Sequence, residues 1–352
     1  MRANMDIAVN TRPERLKMAD IARLAEVSVS TVSRALAGSP LIPQASREKI
    51  EAIAREHGYV VNASARNLRL QTTRAVGLVL PMMREDGRHV TDPFLLEFIG
   101  HLSDAVVTRG YDLLLTRLTQ PRDGWLNELV QSHRFDGMLV IGQHEQHAAL
   151  NDIAKRYRPM VVWGEQQAGQ AYCTVGSDNL AGGRMATEHL LASGYKRIRF
   201  LGDINAPEMH SRYTGYVNAM TAAFPEIDED LLAPVATRPT ESAAYAAMRG
   251  ALARKGDFDA IFAATDVIAY GARRAFADWG GKVPDDCAFV GFDDVSLAKF
   301  LTPPLTTVRQ DLASAAGIMV DMLMQRLSGK DTPSHIIPVN LIARESSAPV
   351  RG

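Results

Sequence analysis

The spacing of apolar residues divides the 352-residue chain into two kinds of segment. In "MADIARLA", residues 18–25, Ile21, Ala22, Leu24 and Ala25 fall on one helical stripe. After "EVS", Ser28 is a good N-cap, because its side-chain oxygen can accept from the free N–H groups of the next turn. The helix it opens, about 29–36, turns Val32, Ala35 and Leu36 inward and leaves Val29, Ser30, Ser33 and Arg34 outside. A third helix is predicted in "QASREKIEAIAREHGY", with Ile50, Ile53, Ala54 and Tyr59 on one side and Gly58 placed to end it. From Ala75 short apolar runs take over: "AVGLVLP", "YDLLLTRL", "GMLVIG", "PMVVWG", "IRFLGD", "AIFAAT" and "AFVGFDD". Helix-like stretches lie between them, for example 94–109, 145–156, 179–193 and 266–279. Apolar strands separated by helices predict β-α-β units, with parallel sheets covered on both faces. The strands are too many for one small sheet, and a break near residues 165–175 points to two α/β lobes. The expected fold class is therefore α/β, with a three-helix helix-turn-helix head and two doubly wound parallel-sheet lobes.

The exposed side of the second helix carries small hydroxyls and one cation. A helix lying in a major groove excludes bulky or acidic side chains, while small hydroxyls approach base edges and phosphates. Arg34 can reach guanine acceptors or a phosphate, and the helix amino terminus adds partial positive charge. On these residues alone, a capped surface helix of any three-helix unit fits as well.

Composition adds a direction. About half the residues are apolar and 22% are charged, an ordinary globular balance. The net charge is −1, yet residues 1–74 hold twelve Lys/Arg against seven Asp/Glu. A basic head on an acidic body suggests a polyanionic partner for the head. Cys173 and Cys287 are far apart and in no metal-type or C-x-x-C spacing, so a disulfide scaffold or zinc site is not expected and a reducing compartment fits. The start, "MRANMDIAVNTRPERLK", lacks an apolar core of secretory length, and no apolar run approaches a membrane span, so a cytoplasmic location is expected.

"MADIARLAEVSVSTVSRALAGSP" and "SREKIEAIAREHGYVVNASARNLR" closely resemble the head of the lactose/galactose-repressor (LacI/GalR) family. The first pattern is matched at Asp20, Ile21, Ala22, Ala25, Val27, Ser28, Thr31, Val32, Ser33 and Arg34. The second is matched at Arg47, Glu48, Lys49, Ile50, Gly58, Tyr59, Asn62, Ala65, Arg66 and Leu68. The family's two base-choosing positions fall on Val29 and Ser30, and Thr31, Ser33 and Arg34 match residues that contact phosphates or bases. Glu26 stands where the family usually has a small turn residue, Pro43 replaces a common serine cap, and Val61 replaces a usual proline.

"NASARNLRLQTTR", residues 62–74, is polar and too short to be a stable isolated helix. As a bare segment it reads as a flexible linker. The resemblance implies a hinge helix that orders on operator DNA, where Leu68 wedges into a minor-groove base step and Arg66 and Arg69 lie near phosphates. An exposed leucine between two arginines suits a wedge better than a core. The residues expected on DNA are thus Ser28, Val29, Ser30, Thr31, Ser33, Arg34, Asn62, Arg66, Leu68 and Arg69.

From Ala75 onward the chain resembles the effector-binding body of the same family and of periplasmic sugar-binding proteins. The resemblance implies three crossings between lobes, near 173, 309 and 339. The organisation expected is a head at 16–61, a hinge at 62–74 and a body at 75–352. Within the body, the first lobe takes about 75–172 and 310–338, and the second about 173–309 and 339–350. In such folds ligands bind beyond the carboxyl ends of the strands. Polyhydroxyl ligands need donors, bidentate acceptors and an aromatic face. The candidates are Asp92, Phe94, Gln143, Trp163, Arg212, Asp266, Asp293 and Gln310. By resemblance, Arg212, Asp293 and Gln310 match effector-contacting positions. Asp266 could equally cap a helix, and Trp163 could equally pack the lobe. An unpaired buried guanidinium is costly, which makes Arg212 hard to dismiss as mere packing.

Enzymatic readings find little support. "GQHEQHAAL" is H-E-x-H rather than H-E-x-x-H, with no third ligand evident beside His144 and His147. "GSDNLAGG" is not a nucleophile elbow, and no G-x-G-x-x-G follows an apolar run. A secreted sugar carrier is disfavoured by the basic head. The expectation is a DNA-binding transcription regulator, a repressor, that needs no cofactor. Its expected partners are a palindromic double-stranded operator, a mono- or disaccharide effector and a second copy of itself, with no membrane. "IARESSAPVRG" has no sustained apolar heptad, so no coiled-coil tail is expected.

Overall fold

A computed structural model describes residues 16–59, 72–81, 89–118, 124–143, 146–254 and 258–348. Two compact units emerge, Met1–Thr73 and Arg74–Gly352.

The head consists of α1 (Met18–Ala25), α2 (Val29–Leu36) and α3 (Gln44–Glu56). Asp20 closes the first turn of α1 by accepting from the Lys17 N–H at 2.9 Å, and it also pairs with Arg23. Ser28 caps α2, its Oγ accepting from the Thr31 N–H at 3.1 Å. Between the two helices Glu26 takes the left-handed conformation, φ 57° and ψ 41°, which costs a residue with a Cβ and explains the small residue usual there. Ile21, Ala22, Ala25, Val32, Ala35, Ile42 and Ile50 form the core. Leu24, expected on the buried stripe, is 44% exposed, because three helices this short enclose only a narrow stripe of each. Pro43 precedes α3 without a side-chain cap, and Arg47 ties the helix to the preceding loop by donating to the carbonyls of Ser39 and Ile42.

The body holds two sheets. The first runs β2 (Asp112–Leu118), β1 (Ala75–Pro81), β3 (Gly137–Ile141), β4 (Met160–Trp163), β5 (Cys173–Ser177) and β10 (His335–Ile337), all parallel. Adjacent residues of β1 point to opposite faces: Leu78 packs with Phe98, Leu102 and Met319, and Val79 with Trp125, Met138 and Ile153. The helices on these faces are α4 (Pro93–Thr108), α5 (Trp125–Gln131), α6 (His147–Ala154) and, after β9, Leu312–Leu327.

The second sheet runs β6 (Ile198–Leu201), β7 (Ala260–Ala263), β8 (Ala288–Asp293), β9 (Thr306–Arg309) and β11 (Asn340–Ile342), with only β11 antiparallel. Its core gathers Phe200, Tyr216, Phe262, Phe289 and Phe292. Four helices accompany it: α7 (Asn179–Ala192), α8 (Pro207–Ala223), the short α9 (Glu229–Leu232) and α10 (Glu241–Ala253). A fifth, α11, spans Asp266–Asp278, so Leu312–Leu327 is α12.

Strand β5 corrects one boundary. Residues 173–177 were expected in the second lobe, but they pair with β4 and β10 and belong to the first sheet. The chain then crosses to the second lobe between Ser177 and α7, returns after β9, and crosses again between β10 and β11. Among the described residues no helix is long and apolar enough to cross a membrane.

Candidate functional site

On the head, α2 presents its amino-terminal end as a row of hydroxyls. Ser28 Oγ lies 2.8 Å from both Ser30 Oγ and Thr31 Oγ1, so the cluster is held in one arrangement by the cap. Ser28, Val29, Ser30 and Arg34 are exposed, while Thr31 and Ser33 are half-buried. No acidic residue lies in the first turn, and Arg34 lies in the last. Asn62, Arg66, Leu68 and Arg69 lie outside the described residues.

In the body, a cavity of about 580 Å³ opens at the carboxyl ends of both sheets. Its size is that of a small-molecule site. The strand ends supply its chemistry. Asp92 caps α4, accepting from the Leu95 N–H at 3.2 Å, and lines the cavity from there. Phe94 and Trp163 form an aromatic wall, their ring centroids 6.4 Å apart, with Phe98 edge-on behind Trp163 at 4.7 Å. Trp163 thus serves packing and lining together.

The second lobe brings Arg212 on α8. Its Nε donates to Asn179 Oδ1 at 2.8 Å and its Nη1 to the Ala264 carbonyl at 2.5 Å, and the guanidinium stacks 3.6 Å over the Phe292 ring. This depends on a close helix crossing: a Cβ on Gly183 of α7 would lie 2.0 Å from the Arg212 carbonyl oxygen. Asp293 Oδ1 sits 3.8 Å from Arg212 Nη1 and accepts from Gln310 Nε2 at 2.7 Å. Burial raises the Asp293 carboxyl pKa although Arg212 and Gln310 oppose the shift, and burial likewise lowers that of Arg212. Asp293 also holds φ at 124°, a strained backbone for a residue with a Cβ.

Asp266 is the exception among the expected residues. Its side chain turns away from the cavity, accepting from the Val295 N–H at 3.0 Å and the Thr307 hydroxyl at 2.6 Å. It fastens α11 to β9 and the loop after β8. Asp92, Phe94, Gln143, Trp163, Arg212, Asp293 and Gln310 all line the one cavity.

Several contributors were not foreseen. Asn179 bridges the lobes, its Nδ2 donating to Glu165 Oε2 at 2.7 Å while its Oδ1 accepts from Arg212. Burial raises the Glu165 pKa, and the nearby Glu208 carboxylate adds to this. Glu208 stands one helical turn before Arg212, an i, i+4 relation that was visible in the sequence. Gln143 Nε2 donates to the Glu165 carbonyl at 2.8 Å, which fixes the amide orientation because a carbonyl can only accept. Its Oε1 is then left without a partner, as is Ser177 Oγ; the two residues are 0% and 4% exposed and line the cavity. Leaving such groups unpaired costs about 1–3 kcal/mol each. A ligand that supplies their partners recovers that cost. His147, noted for its H-E-x-H context, is bonded to Tyr172 OH at 2.7 Å and to Asn151 Nδ2 at 3.1 Å.

Residues 17–62 match the family described as bacterial regulatory proteins, lacI family, and residues 187–347 a periplasmic binding protein-like domain. The chain is 31% identical over 345 residues to the HTH-type transcriptional regulator CelR of Thermobifida fusca, covering 95% of this chain and 99% of that protein. The chain belongs to the lacI family. The HTH-type transcriptional repressor CytR of Escherichia coli (strain K12) is 30% identical over 335 residues, covering 94% of this chain and 96% of that one. Among solved structures, a CelR–cellobiose complex matches with a TM-score of 0.70 at 29% identity, over 94% of this chain and all of that one. The lac repressor dimer bound to operator and the anti-inducer ONPF matches with a TM-score of 0.81 over 95% of this chain and all of that one; at 21% identity it shows the common fold. These relatives bear out a DNA-binding transcription regulator rather than an enzyme.

Proposed function

We propose that this lacI-family regulator represses transcription as a homodimer on a palindromic operator, and that a sugar held between the lobes of its body sets its operator affinity. The observation that carries the effector half is the buried set Arg212, Asp293 and Gln310 beside two unpartnered polar groups in one aromatic-walled cavity. The CelR–cellobiose complex supports a sugar as ligand class. On the DNA side, Ser28, Val29, Ser30, Thr31, Ser33 and Arg34 of the head face the groove and its phosphates. Asn62, Arg66, Leu68 and Arg69 form the hinge contacts, with Leu68 as a minor-groove wedge. One recognition helix gives little affinity, so two heads act together. The lac repressor dimer on its operator supports that assembly. A regulator that meets DNA in a bacterial cell works in the cytoplasm. Ligand and operator act by population shift: each favours one arrangement of the lobes, and their coupling is reciprocal.

The test is fluorescence anisotropy of the full chain on palindromic fragments from its genomic neighbourhood, with mono- and disaccharides added. Affinity should fall steeply with salt, because phosphate contacts release counterions. Leu68→Ala should weaken operator binding and abolish DNA bending while sugar binding persists. Unchanged bending in that variant removes the wedge, and indifference to every palindrome at low salt removes the proposal.

A further inference from the structure

We infer that the cleft selects an uncharged polyhydroxyl ligand, which donates hydroxyl protons to Gln143 and Glu208, and rejects the phosphorylated or carboxylated form of the same sugar. This rests on the cleft being the effector site. On the first-lobe side the cavity offers acceptors. Gln143 Oε1 can only accept, because Nε2 is committed to the Glu165 carbonyl. Glu208 reaches the same point from the second lobe: a Cβ on Gly164 would lie 1.8 Å from Gln143 Oε1 and 3.2 Å from Glu208 Oε1. Both oxygens thus converge over a backbone that carries no side chain. Ser177, which also lines the cavity, can accept or donate through its unpartnered Oγ.

The charge around the cavity points the same way. Asp92, Asp203 and Glu208 line it, and of the two lining cations, Arg212 and Arg238, both on the second lobe, Arg212 faces Asp293. Among the described residues the first-lobe wall has no cation. Arg212 is already committed to Asn179, the Ala264 carbonyl and Asp293. A phosphate or carboxylate brings only acceptors and negative charge to a surface of acceptors, whereas a hydroxyl brings the missing proton.

Isothermal titration calorimetry on the full chain with matched pairs tests this: glucose and glucose 6-phosphate, ribose and ribose 5-phosphate, glucose and glucuronate. The expected result is that a neutral member binds and its anionic partner binds about 100-fold more weakly or not at all. Glu208→Gln should narrow that gap by about tenfold, since it removes the charge and keeps an acceptor. Gln143→Leu should weaken the neutral sugar by about tenfold or more. Equal or tighter binding of an anionic partner overturns the inference and leaves the effector site standing, as does a gap unchanged by Glu208→Gln. If no member of any pair binds while operator binding is intact, the sugar-effector proposal itself falls, and the inference with it.

Discussion

Asp266 shows how a carboxylate at a strand end becomes structural. Its two oxygens are taken by the Val295 N–H and the Thr307 hydroxyl, and burial, followed by the neighbouring Asp293, raises its pKa well above the ordinary value. The folded chain therefore holds this proton at pH values where the unfolded chain, with an Asp pKa of about 3.9, has lost it. Stability contributed by the group falls as pH rises from about 4 through the raised folded value, and is level above it. Asp266→Asn can keep both contacts, with its oxygen on the Val295 N–H and its amide nitrogen on Thr307. Thermal melts of that variant between pH 4 and 8 should show a shallower decline than the parent; an unchanged slope would place the titration elsewhere. The sequence located Asp266 at the end of "AATD" but not the direction of its side chain, because Val295 and Thr307 arrive from 29 and 41 residues away. Arg212, Asp293 and Gln310 were legible through family resemblance. Asn179 was not, since in "GSDNL" it reads as one more polar residue behind the Asp178 cap.

At the scale of elements, caps and close crossings decide where those side chains stand. Ser28→Ala removes the cap of α2 and should cost about 1 kcal/mol. Amide exchange at Thr31 in the full chain should then quicken by roughly fivefold, with operator affinity falling alongside. Gly183→Ala is the stronger disturbance, since its Cβ would meet the Arg212 carbonyl oxygen at 2.0 Å. Forcing α7 and α8 apart should cost about 1–3 kcal/mol. It should also draw Arg212 away from Asn179, so that the melting temperature drops and the sugar response is lost together. A lowered melting temperature with an intact response would show that the crossing does not position the guanidinium. Most elements could be read from periodicity, including α2 with its cap. Strand β5 was not among the apolar runs, because "CTVGS" mixes Thr, Gly and Ser with apolar residues, and so nothing in the periodicity opposed the crossing near 173 that the resemblance implied.

For the body as a whole, the struts between the lobes among the described residues include Gln310 Nε2, which donates to Asp293 Oδ1. Asn179 links Glu165 to Arg212 at the floor, and Glu97 of α4 accepts from the Ser296 N–H of the second lobe at 2.7 Å. Glu97→Ala removes the contact to Ser296 without touching the cavity lining, and should loosen the lobe arrangement. Calorimetric titration of the free protein should then show weaker effector binding by about three- to tenfold, while the factor by which operator lowers effector affinity stays equal to the factor by which effector lowers operator affinity. An effector affinity equal to the parent's would make that contact incidental. Gly164 has a different kind of consequence. Because that stretch of the wall is bare backbone, one added methyl would displace the Gln143 oxygen and press on Glu208. A single substitution in the body would therefore shift a buried amide oxygen that awaits a donor, with the sequence of the head left as it was.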